Sequence, residues 1–354
     1  MARHQNDDAL VPSRGADPPD EPEAAEAGGG APAQRAKRRG AFGLRIVVSA
    51  VLLALLIKNI DFDDALPKHS HLSTIVFLAA AVLSATVGIV LSAWRWQRVL
   101  DAFGERVPLR TLSSHYFAGQ FVGNALPTTI GGDVLRVSRS TKTIGSAETA
   151  FAAVALERLT GFLALPVISF IGFAIDPSLM DSDTAWVAWL ISIGALVALA
   201  AILLMAAHPR LAGRFREREN WMRFIGAVHI GVDRLRHHPR AALGVLMTAF
   251  IYQVSVVITV GFVVLALHVG IGVGAVVAFV PIVAMAQVAP ISVGGIGVRE
   301  GMFVLLLHPL GVPNAQAIGI GLLWYLVMIL VSLLGAPSFA VGGNRQKSKA
   351  GSAA

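Results

Sequence analysis

Two segments of this sequence share a pattern of residue types that could bind an anion. They run from Pro127 to Arg136 and from Pro290 to Arg299, and their prolines are 163 residues apart. Both read Pro, any residue, Thr or Ser, Ile or Val, Gly-Gly, three residues, Arg. Pro lacks a backbone donor and Gly-Gly allows backbone angles closed to other residues, so each copy is expected to break a helix. Paired breaks of this kind in two halves of a chain indicate the binding site of a membrane transporter.

Ionisable side chains lie in or near the two segments, within apolar sequence. Charged groups at membrane depth cost about 2.5–3.5 kcal/mol each on insertion scales and mark functional sites. Glu157 and Arg158 lie about ten residues into an apolar stretch, which at ~1.5 Å per residue is roughly mid-membrane. The candidates comprise three acids and three bases: Asp133, Arg136, Glu157, Arg158, Arg299 and Glu300.

These residues suggest a site for the phosphate of a lipid headgroup. A helix that starts after a Gly-rich turn presents its N–H groups and positive dipole end, and Arg suits bidentate phosphate contact. We expect Arg136 and Arg299 to contact the phosphate, while Asp133, Glu157 and Glu300 hold these arginines or relay protons. Hydroxyl and backbone donors are expected from Thr128, Thr129, Ser292, Gly131, Gly132, Gly294 and Gly295.

Other interpretations of the same residues stay open. In one, the charged side chains form ion pairs that only hold a non-transporting scaffold together. In another, the protein is an accessory or catalytic subunit of a lipid-linked glycosyl or aminoacyl transfer pathway, with Asp133 or Glu300 as a base. We expect no enzyme activity, cofactor or metal site, because the chain has no Cys, its histidines are isolated, and no Walker, Gly-x-Ser-x-Gly or Rossmann motif occurs in context.

The composition places the chain among multi-spanning membrane proteins. Of its 354 residues 55% are hydrophobic and only 14% are charged, and the mean hydropathy is +0.66. This predicts an all-α, polytopic fold. The net charge is +7, but the basic residues border apolar stretches, which is a topology signal and gives no reason to expect nucleic-acid binding.

The apolar pattern predicts about six full transmembrane helices and two broken-helix hairpins. The spans are expected near residues 42–60, 72–93, 149–175, 185–207, 241–267 and 315–341. The first hairpin starts near Thr111 and passes through the first Gly-Gly pair, and the second covers about 271–308. An interfacial helix is expected within the basic segment 208–240.

The distribution of Lys and Arg orients these elements. The segments around Arg95–Arg110, Arg136–Lys142 and Arg210–Arg240 are basic, as are both ends of the chain, so they are expected inside. Successive connecting segments then alternate between inside and outside along the whole chain, provided that both hairpins are re-entrant and enter from opposite faces. Opposite entry is what an inverted repeat requires. Eight spans are the main alternative.

The domain boundaries follow from composition. Residues 1–40 lack periodicity and are expected to be a disordered cytoplasmic tail, 41–341 an integral membrane domain, and 342–354 a cytoplasmic tail. The expected location is the bacterial inner membrane, with both termini cytoplasmic. Homo-oligomerisation and a pathway enzyme partner stay open.

Three motifs resemble one known family. They are the stretch from Phe117 to Arg136, Glu157-Arg158-Leu159-Thr160-Gly161, and the stretch from Pro290 to Gly301. In this order they are similar to the lysylphosphatidylglycerol synthase transmembrane (flippase-like) family. The resemblance implies the handling of a membrane lipid, of phospholipid, polyprenyl-phosphate or hopanoid class. It also implies a stand-alone member, since no aminoacyl-transferase domain is expected here.

Overall fold

The computed structural model describes residues 47, 51, 72–125, 131–207, 222–288, 292 and 294–340. These residues belong to one compact unit, 45–354, and within them there are helices and turns but no β-strand. In chain order the helices are α1 Leu72–Ala102, α2 Leu109–Ala125, α3 Gly131–Ile144, α4 Ala147–Ile175, α5 Ala185–Ala207, α6 Met222–His237, α7 Pro239–Ala266, α8 Val273–Ala286, α9 Val298–Leu307 and α10 Asn314–Leu333. Short 3₁₀ helices cover Pro177–Asp181 and His308–Leu310.

Five of the described helices are long and apolar enough to cross a membrane. They are α1, α4, α5, α7 and α10, and they coincide with five of the six predicted spans. The all-α, polytopic fold class is thereby confirmed. The remaining span, predicted over 42–60, lies outside the described residues apart from Val47 and Val51. Both predicted tails, 1–40 and 342–354, also lie outside the described residues.

The end of α1 corrects one prediction. The span was expected to end near Ala93, and Arg95 was expected to belong to a basic segment inside the cell. Instead the helix continues to Ala102, and Arg95 is only 4% exposed. The helix continues because Arg95 finds a buried carboxylate partner, Glu157, inside the protein.

The first hairpin consists of α2 and α3, which pack against each other with almost no side chain between them. A Cβ on Gly132 would overlap the carbonyl of Gly119 and approach Cα of Gly123, and a Cβ on Gly119 would meet the side chain of Arg136. Gly119 and Gly123, four residues apart on one face of α2, therefore allow the two helices to pack closely. The order of the contacts makes the two arms antiparallel, so Leu109 and Ile144 lie at the same end of the pair.

The two Gly-Gly pairs adopt different backbones. Gly294 and Gly295 have φ of 62° and 78°, in the left-handed region that favours glycine. Gly131 and Gly132 are instead the first two residues of α3. Each copy of the motif lies between two helices, α2 and α3 for the first and α8 and α9 for the second. The Gly-Gly pair belongs to the turn in the second copy and to the start of α3 in the first, where residues 126–130 lie outside the described residues.

The second hairpin consists of α8 and α9, and the other helices hold both hairpins in place. α9 begins after Gly297, whose N–H donates to Glu300 Oε2 at 2.6 Å. α8 packs on α4 so closely that a Cβ on Gly172 would overlap the backbone of Ala278. α1 and α7 form a long antiparallel pair in which Thr259 donates to Ser84 at 3.0 Å.

Candidate functional site

A cavity of about 330 Å³ lies at the centre of this bundle. Residues from α1, α2, α3, α4, α7, α8, α9 and α10 line it, so that both hairpins contribute. Arg136 of α3 and Arg299 of α9, the arginines that end the two copies of the sequence motif, both line this one cavity. We call it the arginine cavity.

Glu157 is the centre of the charge arrangement on one side of the arginine cavity. It is fully buried on α4, and its two carboxylate oxygens accept from two different arginines, Arg95 through Oε1 and Arg136 through Oε2. Tyr116 donates its hydroxyl to Oε1 at 3.3 Å, and Ser92 donates to the Tyr116 hydroxyl at 2.7 Å. A carboxylate so deep in the protein is stable only because these donors replace the water that it has lost.

Asp133 extends this cluster toward the surface. Its Oδ2 lies 2.5 Å from Nη2 of Arg158, and its Oδ1 lies 3.4 Å from Nη1 of Arg136. Arg158 is 47% exposed in its side chain, whereas Arg136 is 4% exposed. Asp133 thus links a buried arginine to a more accessible one.

Arg299 and Glu300 form a separate pair at the start of α9. The Nε and Nη2 atoms of Arg299 donate to Glu300 Oε1 at 3.0 and 2.7 Å. The other oxygen of Glu300 accepts from the N–H of Gly297, which is the Glu half of a capping box at the start of the helix. Nη1 of Arg299 has no hydrogen-bond partner among the described residues, and the side chain lines the arginine cavity.

Aromatic rings cover the faces of the three buried guanidinium groups. Cζ of Arg136 lies 4.1 Å from the ring centroid of Tyr116, and Cζ of Arg95 lies 4.7 Å from that of Tyr252. Arg299 lies 4.9 Å from the ring centroid of Tyr325. Such cation–π contacts stabilise each cation while leaving its in-plane N–H donors available for anions.

Gly161 provides the space in which Arg95 is held. A Cβ at this position would lie 2.6 Å from Nη1 of Arg95, so a side chain here would displace the guanidinium from its present position. The Gly161 carbonyl accepts from the amide of Gln253 at 3.1 Å. Nε and Nη1 of Arg95 have no hydrogen-bond partner among the described residues, so this guanidinium has donor capacity that Glu157 does not use.

Comparison with known proteins now adds to the geometry. The chain matches the family model described as the lysylphosphatidylglycerol synthase TM region over residues 43–335. The chain belongs to this family. It is therefore a multi-pass membrane protein of a lipid-related family. No curated protein sequence matches the chain.

This family member places its sequence-predicted site residues in three kinds of position. Arg136, Glu157, Arg158, Arg299 and Gly294 line the arginine cavity. Others lie beside that lining, where they pair with or pack near its residues: Asp133, Glu300, Gly132 and Gly295. Gly131 is the first residue of α3, and Ser292 is buried outside the lining. Thr128 and Thr129 lie outside the described residues.

Ser292 is the predicted hydroxyl donor whose position can be described. It is 4% exposed, and its Oγ has no hydrogen-bond partner among the described residues. It is not part of the lining of the arginine cavity. Its expected role as a hydroxyl donor to the ligand stays a prediction.

Arg95 is the functional candidate that sequence reasoning missed. With it, the ion pairs in and beside the lining contain four arginines and three carboxylates, a formal excess of one positive charge where the sequence had suggested balance. The sequence does contain a pattern that could have identified Arg95. Arg95 continues a face of small residues on α1, one helical turn beyond Ser92 and two beyond Gly88, while Arg98 is exposed.

Proposed function

We propose that this protein is a flippase-like lipid transporter that binds an anionic or amphipathic lipid headgroup in the arginine cavity. The observation that carries this proposal is the convergence of Arg136 and Arg299 on one cavity. They come from two different broken-helix hairpins, and they are the matching positions of two related motifs. Binding sites of secondary transporters are built in this way, from discontinuous helices that meet near the bilayer midplane.

The lining suits the headgroup of a lipid better than its acyl chains. A volume of about 330 Å³ is at the lower end of the range for small-molecule sites. The excess positive charge favours a phosphate or another anion. Tyr252, Gln253 and Asn124 add polar groups that can bind hydroxyls or amines of the same headgroup.

The paired arginines explain how an anion could be bound and then released. Each buried guanidinium has a carboxylate partner, and because Glu157 serves both Arg95 and Arg136, the empty site keeps an excess of only one positive charge. A headgroup phosphate accepts from donors that the carboxylates leave over, such as Nη1 of Arg299. Because the resident carboxylates persist, binding is weaker than to a free arginine, as a transporter that must release its cargo requires.

The membrane setting of the proposal follows from charge bias. The basic segments at Arg136–Lys142 and Arg210–Arg240 are on the cytoplasmic side of a bacterial inner membrane, and both hairpins are re-entrant. The partners are membrane lipids. No residue is assigned a catalytic role.

The experiment is a leaflet-exchange assay on purified protein reconstituted with fluorescent phospholipids, using a membrane-impermeant quencher. Arg299→Gln removes a cavity cation and leaves the Glu157 cluster intact. Hydrogen bonds to charged groups contribute about 1.5–3 kcal/mol, so we expect exchange to slow by about 10- to 100-fold. Arg98→Gln, which removes an exposed arginine of α1 outside the cavity lining, should exchange lipid at the wild-type rate.

Two results would overturn the proposed function. One is unchanged exchange in the Arg299→Gln and Arg136→Lys variants, provided that both elute and melt like the wild type. The other is exchange that is absent from wild-type proteoliposomes while a lipid-linked donor is converted to product by the purified protein, which would establish the transfer-pathway alternative.

A further inference from the structure

A second cavity lies where the last turn of α1 meets the junction between α6 and α7. Its volume is about 580 Å³. The charged and titratable side chains that line it are Asp101, Arg234, His237, His238 and Arg240. We call it the basic pocket. It shares no lining residue with the arginine cavity.

The basic pocket carries cationic charge that the described protein does not neutralise. Arg234 and Arg240 are exposed and form no ion pair with any described residue. His237 contacts Asp233 on its own helix, at 3.8 Å, and among the described residues of the lining Asp101 is the one that is acidic. Two arginines that converge on a cavity, with no ion-pair partner in the described part of the chain, favour an anionic ligand.

The position of the basic pocket relative to the membrane favours a lipid headgroup as its ligand. Asp101 lies at the end of α1 and Arg240 at the start of α7, and both helices are long and apolar enough to span a membrane. The ends of such helices lie at the level of the headgroups. Basic pockets between the ends of transmembrane helices are established binding sites for anionic lipid headgroups.

Apolar stripes lead away from the basic pocket along both helices. On α7, Leu243 and Met247 follow Arg240 on the same face and are 59% and 52% exposed. On α1, Val87 and Leu83 share the face of Asp101 and are also exposed. Because α1 and α7 are antiparallel, both stripes run in one direction from the pocket, as two acyl chains do from a headgroup.

We propose that the basic pocket binds an anionic phospholipid as a resident, non-transported ligand. The phosphate lies between Arg234 and Arg240, and the acyl chains lie along the exposed faces of α7 and α1. This site is independent of the proposed function, since it is built from other residues and needs no movement of lipid between leaflets.

The test is native mass spectrometry of the delipidated full-length protein titrated with dioleoyl phosphatidic acid or dioleoyl phosphatidylcholine. We expect the wild type to retain phosphatidic acid in preference to phosphatidylcholine. In Arg234→Gln/Arg240→Gln, affinity for phosphatidic acid should fall by about 10- to 30-fold, because each juxtamembrane arginine contributes about 1 kcal/mol. Arg234→Lys/Arg240→Lys keeps both charges and should retain most of the affinity.

Matched controls decide between this site and other causes. Arg236→Gln removes an exposed arginine from the same helix but outside the lining, and it should leave binding unchanged. An equal loss in Arg236→Gln would show that only net charge matters, and an equal loss in Arg299→Gln would place the lipid in the arginine cavity. Either result overturns the proposal, as does displacement of the lipid by inorganic phosphate at equal concentration, which would identify a site for soluble anions.

Discussion

The single carboxylate of Glu157 forms ion pairs with two buried arginines. Its oxygens accept from Arg95 and Arg136 on two other helices, and the carboxylate is fully buried. Taking any of these charges out of water costs several kcal/mol, which the ion pairs offset only while all partners are present. The side chain thus holds α1, α3 and α4 together and keeps both guanidinium groups beside the arginine cavity.

Substitution of Glu157 by Gln should therefore be strongly destabilising, although the two side chains have nearly the same shape. Arg95 would lose its counter-charge and Arg136 would keep only the more distant Asp133, and breaking a buried ion pair typically costs about 3–5 kcal/mol. We expect a large fall in the thermal unfolding temperature in detergent, measured by intrinsic fluorescence. Asp181→Asn, which neutralises an exposed carboxylate, should melt like the wild type.

A double substitution separates the effect of the lost charge of Glu157 from the effect of changed packing around it. Arg95→Gln added to Glu157→Gln removes one of the stranded cations, so the double variant should be less destabilised than the sum of the two single variants. Strict additivity in this cycle would mean that Arg95 and Glu157 are not coupled, and that the buried triad does not hold the helices together.

At the scale of elements, the two hairpins reach related shapes by different local means. In the second, the left-handed backbone of Gly294, Gly295 and Gly297 makes the turn that precedes α9. In the first, Gly132 is helical and allows α3 to contact α2 backbone to backbone. The Gly-Gly pair of the second hairpin therefore provides a backbone conformation that other residues rarely adopt. The pair of the first hairpin provides room for two helices to pack closely.

Gly132→Ala tests the close packing of the first hairpin. The new methyl group would overlap the Gly119 carbonyl, and such overpacking costs about 1–3 kcal/mol. We expect a lower unfolding temperature and, since Arg136 lies one turn further along α3, slower leaflet exchange. Gly194→Ala on α5 meets no atom within 4 Å and should be neutral or slightly stabilising, as Ala favours helices by roughly 1 kcal/mol over Gly. Equal unfolding temperatures for the two variants would show that α2 and α3 have room to separate.

At the scale of the whole molecule, the sequence predicts the positions of the transmembrane helices better than it predicts which side chains on different helices pair. The apolar periodicity of α4, α5 and α7 predicted their positions closely, because burial in lipid acts on each helix separately. The motif placed Arg136 and Arg299 in matching hairpins. The partner of Arg95 could not be read from the sequence, because Glu157 is 62 residues away and only packing brings α1 and α4 together. Because the pairing of Arg95 with Glu157 was not foreseen, α1 was predicted to end too early.

The orientation of the two hairpins in the membrane can be tested by cysteine labelling, for which the chain offers a background without native Cys. We expect Arg106→Cys and Thr143→Cys, exposed residues beside the outer ends of α2 and α3, to react with a membrane-impermeant maleimide only after the cells are permeabilised. Val273→Cys and Asn314→Cys, at the outer ends of the second hairpin, should react in intact cells.

The physical reason is the length and direction of the arms. At about 1.5 Å per residue, the 17 residues of α2 and the 14 of α3 reach about 26 and 21 Å, short of a hydrocarbon core of about 30 Å. Antiparallel contact then returns the chain to the side from which it came. Labelling of Arg106→Cys and Thr143→Cys from opposite sides would contradict this, since α2 and α3 would have to cross the bilayer as one span. Labelling of all four cysteines from one side would instead remove the inverted relation between the hairpins, and with it the reason for a site open to each leaflet in turn.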